Sequence, residues 1–245
     1  MAGTFEPYGA THTVAAAVGV AGAVGAVVAG RLLRDRSAEE RVRRGFAVVL
    51  VVFTAPLQIR QLLPGQFELG SSIPLQICDL GWMVAVYALW TTERRTSGLL
   101  YYWALTLTVQ AVITPTLGAD WPDPDFIEFW GMHLMTIWAA LYLTFGIGVR
   151  TDWRCYRFTV FWSLVWAAVT MVFNALAGTN YGYLARKPDV STPLDLFGPW
   201  PVYVVVLIAV VLAGWALMTW PWVAADRRER RPAPRVSSRR GPADP

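Results

Sequence analysis

Apolar blocks of about twenty residues alternate with short polar or charged stretches along the whole chain. A helix of about 20 residues crosses a 30 Å hydrocarbon core. The pattern predicts spans at Thr13–Leu33, Phe46–Leu63, Ile73–Trp90, Leu99–Leu117, Phe126–Val149, Phe158–Leu176 and Val202–Val223. The expected fold is therefore all-α: a polytopic membrane protein built as a bundle of about seven transmembrane helices. Residues 1–223 form one transmembrane domain in this reading, and residues 224–245 a disordered, basic cytoplasmic tail. Gly22, Ala26 and Gly30 recur every fourth residue in the first span, a stripe of small residues that lets a second helix approach closely.

The charges between the blocks orient the bundle. Arg31, Arg34, Arg36, Arg41, Arg43 and Arg44 lie between spans one and two, and Arg94 and Arg95 follow span three. Arg150, Arg154 and Arg157 separate spans five and six, and Arg227, Arg228, Arg230 and Arg231 follow span seven. With alternating helices all four segments fall on one side, which the positive-inside rule makes cytoplasmic. The N-terminus is then outside and the C-terminus inside. Glu6 and the lack of a basic residue before the first block argue against a cleaved leader.

Composition sharpens this picture in three ways. Hydrophobic residues make up 55% of the chain, above the 45–50% usual for soluble domains, and thirteen tryptophans suit rings placed at membrane interfaces. The net charge of +4 sits at helix ends and in the tail, so it does not point to nucleic acid; membrane lipids are the expected partners. Cys78 and Cys155 fall on opposite sides of the bundle, and two distant histidines make no metal cluster, so no disulfide, metal or cofactor is expected.

Against this background the stretch from Ile73 to Trp82 stands out, because Gln76, Cys78 and Asp79 occupy the first turns of an apolar span. An acid there costs roughly 2.5–3.5 kcal/mol at a helix centre and marks a functional site by default. Counting 1.5 Å per residue, Cys78 lies about 7 Å inside the outer start of its span and His133 about 10 Å inside its own. Asn174 lies roughly 6 Å before the outer end of span six. His12, Arg60, Gln110 and Thr114 fall in the same outer layer. A thiol needs a base or a positive charge to become a nucleophile, and His133 is the histidine inside a span at matching depth. Each residue also has a plainer role: Arg60 snorkelling to headgroups, Asn174 joining helices, His12 sitting at the interface, Asp79 making an inter-helix bond.

These residues, with the segments from Asn174 to Tyr203 that include GTNY, Lys187-Pro188 and GPWP, resemble the YwaF family of bacterial integral membrane proteins. That family is related to the animal transmembrane acyltransferase of ether-phospholipid remodelling and, more distantly, to androgen-induced-gene-type intramembrane hydrolases. The resemblance implies a catalytic pair at Cys78 and His133 and a place in a bacterial cytoplasmic membrane. Gln76 stands where many members carry histidine, which leaves His133 as the base.

The expected activity is transfer of a phospholipid acyl group through an acyl-cysteine. Asn174, Asn180 or Tyr181 would bind the oxyanion or substrate, and Arg60, Arg186 or Lys187 would hold a lipid phosphate. A hydrolase using the same pair, and a non-enzymatic lipid-binding or transport protein, are the alternatives. The long segment Gly178–Trp200 mixes turn, aromatic and leucine residues and is expected to fold back over the site.

Overall fold

The computed structural model describes residues 3–188 and 192–229. Among them there is no strand; Thr4 and Ala119 make one isolated antiparallel bridge. The helices are α1 (Ala10–Leu33), α2 (Glu39–Gln61), α3 (Ile77–Thr91), α4 (Arg94–Tyr102), α5 (Val109–Ile113), α6 (Pro124–Leu141), α7 (Trp153–Ala177) and α8 (Val202–Glu229). A π-helical stretch, Trp103–Thr108, joins α4 to α5 in one continuous rod, and another, Tyr142–Ile147, extends α6. Seven rods result, in the predicted order. Five of them are long and apolar enough to cross a membrane.

Two predicted boundaries move. The third helix begins at Ile77 and not at Ile73, because Pro74 lies in the apolar run and Gln76 is extended with ψ 144°. Its 15 residues rise only about 22 Å, so the extended segment before it completes the crossing. The fourth rod ends at Ile113, since Thr114 precedes Pro115 and is pushed out of the helical region. At the other end of the chain α8 runs past Val223 to Glu229, so the first part of the expected tail is helical. The rest of that tail, from residue 230, lies outside the described residues.

Packing follows the small-residue pattern. A side chain at Gly30 would come within 2.6 Å of the Gly146 Cα, so α1 and the fifth rod touch backbone to backbone there. The Trp138 indole N–H reaches across the same seam to the Gly19 carbonyl at 2.9 Å. A core of Ala47, Leu50, Ala85, Leu89, Ala139 and Leu143 binds α2, α3 and the fifth rod. Val14, Val20, Val24 and Leu32 of α1 remain exposed, as suits a face turned to lipid.

The arginines gather at one end and satisfy helix-terminal carbonyls that would otherwise lack partners. Arg31 donates to Phe145 O (3.2 Å) and Arg34 to Gly146 O (2.6 Å). Buried Arg43 donates to Leu89 O and Trp90 O and pairs with Glu39 at 3.0 Å. The C-termini of rods three and five therefore lie at the same end. Those two rods run parallel.

Candidate functional site

The start of α3 is built by its own sequence. Gln76 and Asp79 form a reciprocal capping box, in which the Gln76 side chain accepts from the Asp79 backbone and Asp79 Oδ2 accepts from Gln76 N at 3.1 Å. Asp79 thus closes a helix terminus beside Cys78, the second residue of the helix. Trp166 of α7 fastens the preceding strand-like segment by donating to Leu75 O at 2.9 Å.

Gln76 also accepts from the Gly182 backbone N–H, at 2.9 Å. Both of its partners are N–H donors, so the atom they share is the carboxamide oxygen and the NH₂ group is left to donate. Gly182 has φ +65°, and a side chain there would meet Trp166 at 2.7 Å, so only glycine brings the loop this close.

Gln76 and Cys78 open onto a cavity of about 470 Å³ bounded by α3, the fourth rod, α7, α8 and the loop after α7. Polar groups cluster at the loop end: Gln76, Cys78, Gln110, Thr114, Thr116 and Tyr183. Val160, Leu164, Leu207, Val211 and Leu212 line the body. The floor is Trp215, which is buried, stacks on Tyr102 at 5.6 Å and donates its indole N–H to Thr106 Oγ1 at 3.0 Å. Leu184, Pro188, Leu194 and Phe197 roof it. The long loop does fold back over this space.

What holds the roof is a set of buried amides. Asn174 accepts from Tyr181 N and Thr179 Oγ1, each at 2.8 Å, and donates to Tyr181 O at 2.9 Å. Asn180 accepts from Ala185 N and Arg186 N and donates to Arg186 O. Tyr181 Oη donates to Leu69 O (2.9 Å) and accepts from Ile73 N (3.0 Å), tying the loop to the segment that leads into α3.

His133 is 2% exposed and bonds through Nδ1 to Phe129 O at 2.6 Å. A carbonyl only accepts, so Nδ1 carries the proton and Nε2 presents a lone pair. That Nε2 is buried with no partner among the described residues. The imidazole lies against the Phe129 ring, centroids 4.2 Å apart, and it is Phe129 that lines the cavity. Gly81 of α3 faces Thr136, whose Cγ2 would lie 3.8 Å from a side chain there. Cys78 and His133 each stand three residues before that contact on parallel helices. One helical turn towards the loop end, the two residues share a level and a seam.

A protein-family model described as the TMEM164 family matches residues 7–219. The chain belongs to the TMEM164 family. No curated protein and no solved structure matches it. The matched range takes in α1 to α7 and most of α8, and with them the whole cavity of this TMEM164-family protein.

Of the residues singled out in the sequence, Gln76, Cys78 and Gln110 line the cavity together. Asp79 serves the helix cap, and Asn174, Asn180 and Tyr181 serve the roof. Arg60 is taken up by Asp125 and by Gln66 (3.2 Å), with Glu128 at 3.9 Å. His12 accepts from Tyr8 N, stacks on Tyr8 at 5.2 Å and packs by Trp130, between α1 and α6. Lys187 sits at the roof, 3.7 Å from Asp195 and over the Tyr203 ring, next to cavity-lining Pro188. Both cysteines are free thiols; Cys155 is buried at the arginine-rich end, 3.4 Å from Arg94 O. Sequence reasoning missed the donor role open to Gln76, the Thr106–Trp215 floor and the close approach at Gly182. A Gln-x-x-Asp spacing ahead of an apolar run was the available sign of the first.

Proposed function

We propose that this protein is an intramembrane lipid acyltransferase with Cys78 as nucleophile and His133 as base. The carrying observation is the cavity: a long apolar chamber whose polar end holds a free thiol under a roof that keeps bulk water away. A fatty acyl chain fits its walls, which are aliphatic and aromatic, and its ester would lie at the polar end. Membership of the TMEM164 family and the resemblance to YwaF-type bacterial proteins agree with that reading. On the positive-inside rule we place the loop end outside and the arginine-rich end in the cytoplasm of a bacterial cell.

In this mechanism His133 Nε2 takes the proton of Cys78 as sulfur attacks the ester carbonyl of a phospholipid donor. The Gln76 NH₂ group donates to the oxyanion. Collapse breaks the carbon–oxygen bond, and the departing lysolipid oxygen takes the proton from the imidazolium. The hydroxyl of an acceptor lipid then attacks the thioester, gives its proton to Nε2, and releases the thiol. For the imidazole to meet the thiol, the Phe129 ring that lies against it must yield on substrate binding. Lys187, beside the roof, is suited to meet a headgroup phosphate.

The test uses the purified protein in nanodiscs with an acyl-labelled phospholipid and a lysophospholipid acceptor. An acyl thioester trapped on the peptide holding Cys78, and loss of transfer in Cys78→Ser and His133→Ala, are expected. Label released as free fatty acid would assign a hydrolase with the same pair. Undiminished transfer by Cys78→Ser would refute the nucleophile.

A further inference from the structure

A second cavity, of about 540 Å³, opens at the arginine-rich end between α1, the π stretch of the fifth rod, the linker after it and α8. Arg31, Arg34, Arg150, Asp35, Thr144 and Trp222 are among its walls. None of these residues belongs to the site beneath the loop.

The three guanidinium groups are held by one edge each. Arg31 Nε donates to Phe145 O at 3.2 Å, and Arg34 donates to Gly146 O through Nε (3.2 Å) and Nη2 (2.6 Å). Arg34 also lies flat on Gly148, whose φ of +87° and lack of a side chain make room; a Cβ there would sit 3.0 Å from Nη2. Arg150 is fixed from the opposite wall, its Nη1 donating to Asp226 and Glu229 at 2.8 Å each. A guanidinium carries five N–H donors, and these bonds use one or two of them on each arginine. The others have no acceptor among the described residues.

Anchored forks of this kind have already lost much of their side-chain freedom, so a ligand that accepts from them pays little further ordering entropy. Asp226 and Glu229 offset Arg150, and Asp35 opposes the others, so the positive excess rests on Arg31 and Arg34. The opposite wall is aromatic: Phe145 and Trp222 stack at 5.6 Å, a pairing suited to the glycerol region of a bilayer. The volume exceeds what a bare ion needs. Basic pockets between transmembrane helices at this side of a membrane suit anionic headgroups.

We propose that this cavity is a binding site for a phosphate-bearing anion, held by Arg31 and Arg34 and flanked by the Phe145–Trp222 pair. Its source is either the headgroup of an anionic lipid or phosphate free in solution. The test is native mass spectrometry of the full-length protein released from mixed phosphatidylglycerol and phosphatidylcholine micelles, with and without millimolar inorganic phosphate. Wild type should retain phosphatidylglycerol preferentially, and the Arg31→Gln/Arg34→Gln variant should lose that preference by about tenfold, the scale of a charge-assisted bond. Retention that survives added phosphate assigns a lipid headgroup. Displacement by phosphate, or a phosphate adduct in its place that the double variant lacks, assigns the free anion. Should the double variant fail to fold, Arg31→Gln alone decides, since it removes one backbone bond of an exposed side chain. Equal retention of the two lipids by wild type together with no phosphate adduct, or retention unchanged in a folded variant, overturns the site.

Discussion

Replacing Tyr181 by phenylalanine isolates the bonds that join the roof to the thiol-bearing helix. The ring is fully buried and packs edge-on to Phe173 at 5.8 Å, and phenylalanine preserves both features. What disappears is the hydroxyl that donates to Leu69 O and accepts from Ile73 N. Two such bonds are worth about 1–3 kcal/mol together, and the upper part of that range applies where their partners are left dry. A loss of about 2 kcal/mol multiplies the population of locally opened loop roughly 30-fold. Hydrogen exchange read by mass spectrometry in nanodiscs should therefore accelerate by roughly that factor in residues 69–76 and 178–188. The helices of the core should exchange as before, and Cys78 should become faster to label with a thiol reagent. Unchanged exchange in residues 69–76, or acceleration spread evenly over the whole protein, would refute the idea that Tyr181 couples roof to helix.

Gly30→Ala should destabilise the protein by about 1–3 kcal/mol in detergent unfolding, since its methyl group meets backbone, whereas Gly25→Ala, which meets nothing within 4 Å, should not. Cys155→Ser should keep acyl transfer intact, with any loss confined to stability, because its thiol faces Arg94 O far from the cavity. If Trp215 is the floor, Trp215→Leu should shift the profile of acyl thioesters on Cys78 towards longer chains; an unaltered profile would place the chain elsewhere. Partial burial opposes ionisation of Glu93, but hydrogen bonds from Thr96 Oγ1 and from the Thr96 and Arg95 backbone outweigh it and hold the carboxyl below its usual range. The stabilisation is then complete above the unfolded value of about 4.3 and lost as pH falls through the lower folded one, so the stability gap to Glu93→Gln should close only in acid.

The bundle was legible because lipid imposes so few solutions: apolar length gives the rods, and arginine placement gives their shared end. Hydropathy could not see that Ile73–Leu75 stays extended, since those residues are as apolar as the helix they precede; Pro74 and the Gln76–Asp79 spacing held that information. Counting depth placed Gln76, Cys78, Gln110 and His133 on one level correctly. Depth is silent about direction around a helix axis, however, and so it also gathered Arg60, which faces Asp125, and His12, which faces Tyr8 and Trp130. Asn174 sits at the expected level too, but its amide meets backbone groups contributed by a loop whose path no periodicity encodes.

The π stretch at Trp103–Thr108 makes the fourth rod sensitive to length rather than to content. An α-helix advances about 100° per residue, and a π turn accommodates one residue more than an α turn. Gln110 and Thr114 reach the cavity in the angular phase which that surplus residue sets. Removing one residue there would let the rod close as uninterrupted α-helix and rotate everything beyond it by about 100°, carrying Gln110 away from the thiol while Tyr102 and Trp103 kept their places. Substitutions in this segment act where they fall; a single deletion would act like a frameshift written in three dimensions.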